Sequence, residues 1–357
     1  MRPRTFFIAA VSCALLALAA CAALVAWADP LLTAGKLEEG EKALFVNERY
    51  EMAGLIRRQD YESVVMGTSS VANFRASWFT QGTGKRTLKI TFPDGRLSEF
   101  DTALNLAFRT HGELDTVYFC LDPTVLVREE QVSELPEYLY NDNPLDDLEF
   151  YLNGESVALA AKSLILGEEE KVPLDDAYVW ENNFEFSWWA AMRGYVRPEA
   201  SGVVLPEDAF LETARKNMDV VCGWMEDHPN TRFVVWFPPY SLLFWDKMCQ
   251  QGKTDAVLEA VEYASLRMME HDNAAVHCFL HALEYVTELG YYTDHIHCSA
   301  TVTSWVAQML MEGQWRFTPE SCAQGLKKLR DYISAYDFEL LFDFYRQTME
   351  SLAQLEG

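Results

Sequence analysis

Five short apolar runs, each followed by a segment with helical periodicity, constrain the fold of this 357-residue chain more than any other feature. The runs are rich in β-branched and aromatic residues, which is typical of strands buried on both faces. Strands that alternate with helices predict an α/β fold with a parallel sheet covered on both faces. The predicted strands are residues 61–66, 89–92, 116–121, 232–237 and 275–279. The predicted helices are residues 97–110, 156–166, 206–228 and 256–270, with two or three more within 299–355.

The N-terminus carries a separate apolar segment, residues 6–27, in which only Ser12 is not apolar. As a helix this segment measures roughly 33 Å, which is enough to cross a bilayer. Arg2 and Arg4 precede it and acidic residues follow it, so the positive-inside rule places the N-terminus in the cytoplasm. We therefore expect a cytoplasmic tip (1–5), one transmembrane signal anchor (6–27) and one extracytoplasmic domain (28–357) at the cell membrane.

Two alternatives to an uncleaved anchor remain open. The sequence Leu-Ala-Ala-Cys ending at Cys21 fits a lipobox, in which the cysteine is lipidated after cleavage, although the chain stays apolar as far as Trp27. Simple signal-peptide cleavage is the other alternative, although the apolar run is long for a signal peptide. All three interpretations export the rest of the chain.

Charge separates the N-terminal segment from the exported body. The first 30 residues carry a charge of +1, and residues 31–357 hold 27 basic and 53 acidic side chains, a charge of −26. A surface this negative repels phosphates, which excludes a nucleic-acid partner and argues against broad docking on anionic lipid. Half of the residues are apolar, which excludes a disordered chain. We expect one domain with an inserted segment at about 136–198.

The eight cysteines do not indicate a metal or redox motif. Their spacings are wide and no CxxC pair occurs, so a zinc ribbon or a thioredoxin-type site is unsupported. Cys120 and Cys278 lie in apolar runs and are expected to be small core residues. An extracytoplasmic location permits disulfides, but the sequence does not define their pairing. We expect neither a metal nor a cofactor.

Ligands of a parallel sheet gather beyond the carboxyl ends of its strands, so the residues after each strand are the candidates for a site. The first strand is followed by Gly67-Thr68-Ser69-Ser70. A serine in a tight turn between a strand and a helix is well placed for nucleophilic attack, with backbone N–H groups nearby to hold an oxyanion. A serine that caps the helix is the alternative interpretation.

A second candidate cluster lies near the C-terminus, on the loop that contains Asp294, His295 and His297. A loop histidine can act as a general base when an acid orients it, and Asp294 and His297 are close enough along the chain to project into one site. His295 could be the base instead, or the two histidines could form part of a metal site.

Together these blocks resemble the SGNH/GDSL hydrolase superfamily, whose first block is Gly-Asp-Ser and whose last is Asp-x-x-His. The chain is more similar to an exported, membrane-anchored bacterial branch of unknown specificity, which has Asp-Pro after the anchor (Asp29-Pro30), Gly-Thr-Ser…Asn-Phe (67–74) and aromatic-Pro-Pro-Tyr-Ser (237–241). The resemblance extends from Asp29 to about Tyr336. It implies a single three-layer domain with a flavodoxin-like SGNH fold, in which Ser69 is the nucleophile, His297 the base and Asp294 its orienter.

The resemblance also implies an oxyanion hole. The second block of the superfamily supplies a glycine N–H, for which Gly95 is the best match, and an ordinary Pro-Asp-Gly turn is the alternative. The third block is Gly-x-Asn-Asp, whereas this chain has Asp122 before Pro123. An ionised aspartate cannot donate a hydrogen bond, and loss of one oxyanion donor typically costs about 10²–10³ in rate. Asp122 is therefore protonated, replaced as a donor by Asn73 or Arg75, or used differently, for example as a cap.

Location and resemblance imply a membrane-anchored serine O-acyl esterase or O-acyltransferase that acts on cell-surface polysaccharide or wall polymer. Its partners would be a glycan or acyl donor and, through the N-terminal helix, the membrane. The alternative is a non-catalytic scaffold or assembly protein of the cell envelope that retains the fold. Trp78, Trp188 and Trp189 could stack on sugars, although core packing is the commoner role of such residues. The sequence does not identify the substrate or any protein partner.

Overall fold

The computed structural model describes residues 3–33, 35–38, 40–129, 132–143, 145–146, 148–166, 168–181 and 183–356. The chain divides into two compact units. The first comprises Met1–Tyr61, Ser98–Gly112 and Val132–Tyr178, and the second comprises Glu62–Leu97, Glu113–Gln131 and Val179–Gly357.

A five-stranded parallel sheet forms the centre of the second unit. Its strands are β1 (Ser63–Gly67), β2 (Thr87–Thr91), β3 (Thr116–Cys120), β4 (Arg232–Phe237) and β5 (Ala274–Cys278). The spatial order is β2-β1-β3-β4-β5, the flavodoxin-like order, and the strands are buried almost throughout. The predicted α/β class and parallel sheet are confirmed. The five predicted strands are all present, with ends displaced by at most two residues.

Sixteen α-helices occur within the described residues. In chain order they are α1 (Pro3–Ala28), α2 (Glu48–Arg58), α3 (Ala76–Thr83), α4 (Leu97–His111), α5 (Pro123–Leu126), α6 (Glu137–Tyr140), α7 (Leu148–Leu152), α8 (Gly154–Ile165), α9 (Trp188–Arg193), α10 (Leu211–Asp227), α11 (Leu242–Gln250), α12 (Thr254–Met268), α13 (Leu283–Val286), α14 (Ala300–Met311), α15 (Pro319–Ala335) and α16 (Phe338–Glu356). The predicted helices correspond to α4, α8, α10, α12 and the C-terminal three, whereas α2, α3 and α11 were not predicted.

The first unit contains the N-terminal helix. Among the described helices, α1 alone is long and apolar enough to cross a membrane, as predicted. Its side chains are exposed as far as residue 20, and Val25 is buried where the end of α1 packs against α7 and α8. Arg2 lies outside the described residues. The proposed limits of tip, anchor, insertion and single extracytoplasmic domain stay predictions.

Chain order explains the packing inside the second unit. Right-handed crossovers place α3 on one face of the sheet and α10 and α12 on the other, because the chain reverses its direction across the sheet after β2. The contacts agree: α3 packs against α14, and α12 packs against α10 and α15. Cys120 and Cys278 are buried core residues as predicted, and none of the eight cysteines forms a disulfide in the described structure.

The reversal after β2 defines a switch point between β1 and β3. In sheets of this order, the carboxyl ends of the two strands that flank such a point frame the ligand-binding crevice. Residues 68–70 follow β1 there, and Asp122 follows β3. The fold therefore brings the serine turn and Asp122 to one edge of the sheet.

Candidate active site

The turn that carries Ser69 begins directly at the end of β1. Gly67 is required there, because a Cβ at this position would lie 2.7 Å from Cys120 Cβ and 2.8 Å from Val71 Cγ1. Thr68 caps the short 3₁₀ helix Ser69–Val71 by accepting a hydrogen bond from the Ser70 N–H at 3.2 Å. Ser69 is half-buried at this edge.

Side chains of β2 hold the same turn from one side. Thr91 donates its hydroxyl to the Thr68 carbonyl at 3.0 Å. Lys89 is buried, and its ammonium donates to the carbonyls of Ala72 and Phe74, each at 2.9 Å. A buried ammonium is tolerated only when its donors are satisfied, so these bonds fix the backbone after Ser69.

The loop after β5 carries the acid and the imidazole. One oxygen of Asp294 accepts the backbone N–H groups of Ile296 at 2.7 Å and His297 at 2.8 Å, which folds the loop around the carboxylate. The other oxygen accepts from His297 Nδ1 at 2.6 Å. Burial alone would raise the pKa of Asp294, but the hydrogen bonds from His297 and Ile296 outweigh it and lower the pKa to about 2. Asp294 is therefore ionised at neutral pH.

Ser69 and His297 meet at hydrogen-bond distance, with 2.7 Å between Ser69 Oγ and His297 Nε2. Because ionised Asp294 only accepts hydrogen bonds, Nδ1 of His297 carries a proton and Nε2 of the neutral ring can accept one from the serine hydroxyl. This is the arrangement in which a base removes the proton of an attacking hydroxyl. The contact predicted from the sequence is present, and the catalytic roles of the three residues stay predictions.

His295 is not placed as the base. Its Nε2 lies 3.4 Å from Lys247 Nζ, and its ring packs against Tyr195 with centroids 5.9 Å apart. Burial and the neighbouring Lys247 lower the pKa of His295 to about 4. Within the described ranges, no group of three or more His, Cys, Asp or Glu side chains could hold a metal ion.

The three residues predicted for the oxyanion hole or substrate binding make other contacts. The Gly95 N–H donates to Phe92 O at 2.9 Å and closes an ordinary turn, so it is not free to bind an oxyanion. Asp122 is fully buried and accepts hydrogen bonds from Thr68, Ser70 and Tyr240. The Gly95 N–H and the Asp122 carboxylate thus both make hydrogen bonds within the fold, and their predicted roles at the oxyanion stay predictions. In the described part of the chain the Ser69 N–H makes no hydrogen bond, so it is available at the nucleophile itself.

Asn73, the third of them, makes three hydrogen bonds. Its amide nitrogen donates to the Cys298 carbonyl at 2.9 Å, and its amide oxygen accepts from the backbone N–H groups of Trp180 at 2.9 Å and Glu181 at 3.0 Å. Asn73 therefore ties the serine turn to the residue after His297 and to the segment that begins at Trp180. The amide nitrogen carries a second hydrogen, so the predicted role of Asn73 at the oxyanion stays a prediction.

Trp180 is a site residue that was not predicted. It lies against His297, with ring centroids 4.4 Å apart, and it contacts Phe184 at 5.0 Å. Trp180 does not belong to a recognisable sequence motif. Its position beside His297 depends on the hydrogen bond between its backbone N–H and Asn73. Of the tryptophans considered for sugar stacking, Trp188 and Trp189 instead pack on Tyr345, and Trp78 packs near Phe74.

The known proteins that were compared with this chain do not identify its family. No family model and no curated protein matches the sequence. A solved structure described as that of a candidate platelet activating factor from Streptococcus pneumonia matches with a TM-score of 0.38 and 10% identity, over 80% of this chain and 91% of that one. A likeness this distant says nothing about activity, so a functional proposal must rest on the residues themselves.

Proposed function

We propose that this chain is a membrane-anchored serine O-acyl esterase or O-acyltransferase. The observation that carries the proposal is the connected series Ser69 Oγ–His297 Nε2 at 2.7 Å and His297 Nδ1–Asp294 Oδ2 at 2.6 Å. It lies at the switch point of a flavodoxin-order sheet, where ligands of such sheets bind. The resemblance of the Gly-Thr-Ser and Asp-x-x-His blocks to SGNH/GDSL hydrolases supports the same chemistry.

The chemistry follows from the proton positions. As Ser69 Oγ attacks an ester carbonyl, its proton passes to His297 Nε2, and ionised Asp294 stabilises the imidazolium that forms. The Ser69 N–H is placed to donate to the oxyanion. His297 then protonates the alkoxide, which departs as an alcohol. The acyl group remains bound to Ser69 Oγ. Attack on this acyl-enzyme by water completes hydrolysis, and attack by another hydroxyl completes transfer.

Location suggests the substrate class. If α1 is an uncleaved anchor with the positive end inside, the site faces the outer side of the membrane, where wall polymers and surface polysaccharides carry O-acyl groups. The body is strongly acidic, which favours neutral or cationic acyl acceptors over phosphate-rich ones. We therefore propose O-acyl groups on cell-surface glycan or wall polymer as the substrate.

A fluorophosphonate probe tests the proposal directly. We expect the full-length chain in detergent to be labelled, Ser69→Ala to lose all labelling, and Ser304→Ala to keep it, because the Ser304 hydroxyl donates to Thr301 O in its own helix. The ester content of wall polymers should differ between cells that carry the wild-type chain and cells that carry Ser69→Ala. No labelling, together with wild-type behaviour of Ser69→Ala in cells, would contradict an enzyme and favour the scaffold function.

A further inference from the structure

Asp122 joins both neighbours of the nucleophile to a distant segment. Its carboxylate is fully buried and accepts the hydroxyls of Thr68 at 2.6 Å and Ser70 at 2.6 Å, the residues on either side of Ser69. The phenol of Tyr240 is its third donor. Short O–H···O⁻ bonds of this kind are among the strong hydrogen bonds of proteins. The carboxylate therefore fixes the backbone that presents Ser69.

Tyr240 belongs to the segment Pro238–Ser241, which follows β4 and also contacts the histidine loop. Pro239 O accepts the Tyr292 hydroxyl at 2.6 Å, and the Ser241 hydroxyl donates to His295 O at 2.9 Å. These bonds attach the segment to the loop on both sides of Asp294. The same four residues thus reach the serine turn through Asp122 and the histidine loop through Tyr292 and Ser241.

We propose that Asp122 and the segment Pro238–Ser241 form a positioning bracket that sets the separation of Ser69 Oγ and His297 Nε2. The bracket gives a role to the aromatic-Pro-Pro-Tyr-Ser motif that the catalytic residues leave unexplained. Its effect on rate rests on the proposed function, whereas its geometry does not.

The chemistry of the bracket requires a carboxylate. Three hydroxyls donate to Asp122, and all three can donate to it at once only if the group accepts without donating. Burial raises the pKa of Asp122, against the effect of these three hydrogen bonds. Keeping an ionised carboxylate here is therefore costly. An asparagine would turn its amide hydrogens toward at least one of these hydroxyls, which would have to rotate and accept instead, so the bonds that hold the turn would rearrange.

One substitution distinguishes a residue that holds the turn from a residue that donates to the oxyanion. Asp122→Asn restores the residue type of the SGNH third block. If residue 122 served the oxyanion, the substitution would raise the rate. If it holds the turn, the substitution lowers the rate, because a displacement of about 1 Å in an active site can cost on the order of 10²-fold.

The experiment compares fluorophosphonate labelling of Asp122→Asn and Tyr240→Phe with that of Tyr61→Phe. Tyr61 is an equally buried tyrosine whose hydroxyl donates to Ile56 O at 3.1 Å, so it is a matched control for loss of a buried phenol. We expect the labelling rate constant to fall about 100-fold in Asp122→Asn and about tenfold in Tyr240→Phe, with unchanged probe affinity. Tyr61→Phe should label at the wild-type rate.

A readout that needs no activity keeps the two proposals apart. In ¹⁵N-histidine NMR, the Nε2 resonance of His297 should move in Tyr240→Phe toward its position in Ser69→Ala, and it should not move in Tyr61→Phe. If the wild type is not labelled, the proposed function fails. The NMR result alone then decides whether the bracket sets the separation of Ser69 and His297. Faster labelling of Asp122→Asn, or a folded Tyr240→Phe with wild-type labelling and resonance, overturns it.

Discussion

The indole of Trp180 lies against the imidazole of His297, with ring centroids 4.4 Å apart and ring planes at 47°. Asp294 holds one edge of the same imidazole through Nδ1 at 2.6 Å. The ring of His297 is thus restrained by a hydrogen bond at its edge and by an aromatic contact at its face. Water has little access to the imidazole, because the side chain of His297 is only 17% exposed.

Removal of the indole should lower reactivity without unfolding the chain. In Trp180→Ala we expect the labelling rate to fall about tenfold, because the imidazole loses its facial contact and becomes solvated. Trp180→Phe should recover most of the rate. Trp189→Ala is the control, since Trp189 is equally half-buried but packs on Tyr345. Equal labelling of Trp180→Ala and the wild type would show that the contact has no role in reactivity.

Asp294→Asn should keep the loop but lose the reaction. The Asn carbonyl can still accept the N–H groups of Ile296 and His297, whereas its amide donates toward His297 Nδ1 and selects the wrong tautomer. We expect labelling to fall on the order of 10³–10⁴-fold, as for this exchange in serine triads generally. A smaller loss than for Trp180→Ala would contradict the role of Asp294 as the orienter.

The same carboxyl predicts how stability changes in acid. Because the pKa of Asp294 is lowered to about 2 in the folded chain, its contribution is complete above the ordinary value near 4 and is lost as the pH falls toward 2. Chemical unfolding of Asp294→Asn should therefore depend less on pH between about 4 and 2 than unfolding of the wild type. Identical slopes in this range would contradict the lowered pKa of Asp294.

Glu51 in the first unit should show the opposite sign. Burial raises the pKa of Glu51 to about 7, against hydrogen bonds from Tyr178, Val46 and Asn47. As the pH rises from about 4.5 to 7, the unfolded chain releases this proton first, so stability falls. Glu51→Gln should match the wild type near pH 4 and exceed its free energy of unfolding by about 3 kcal/mol at pH 8.

Substitution of Cys21 distinguishes an anchor from a lipoprotein. Helix α1 continues through Cys21 to Ala28, and Val25 is buried against the first unit, so we expect the segment to remain attached. Cys21→Ala should then leave electrophoretic mobility and metabolic palmitate labelling unchanged, as should Cys13→Ala. Loss of label and altered mobility in Cys21→Ala alone would establish the lipoprotein alternative.

The sheet could be predicted because its strands are continuous apolar runs. Residues 232–237 were predicted with the limits that the structure shows, since Phe233, Val234, Val235, Trp236 and Phe237 leave no other interpretation. Helix α2 was missed because Gly54 interrupts its apolar pattern. That glycine is needed for packing, since a Cβ there would lie 2.3 Å from Leu32 O and 2.7 Å from Leu31 O.

The candidate site was likewise only partly predictable from the sequence. Ser69, Asp294 and His297 could be predicted because each stands in a short local motif at the end of a strand. The hydrogen-bond partners of Asn73 and Asp122 could not be predicted, because they depend on how distant segments of the chain meet. Asn73 hydrogen-bonds with Trp180 and Cys298, and no residue near Asn73 in the sequence predicts either contact.

Ser69 and His297 are 228 residues apart in the chain, and the imidazole arrives only after β5. Contacts of such long range form late in folding, because the intervening chain must be ordered first. If the chain crosses the membrane behind its N-terminal helix, as proposed, Ser69 is exported before His297. On the proposed function, the serine is inert during passage through the membrane and becomes a nucleophile only when the last strand has joined the sheet.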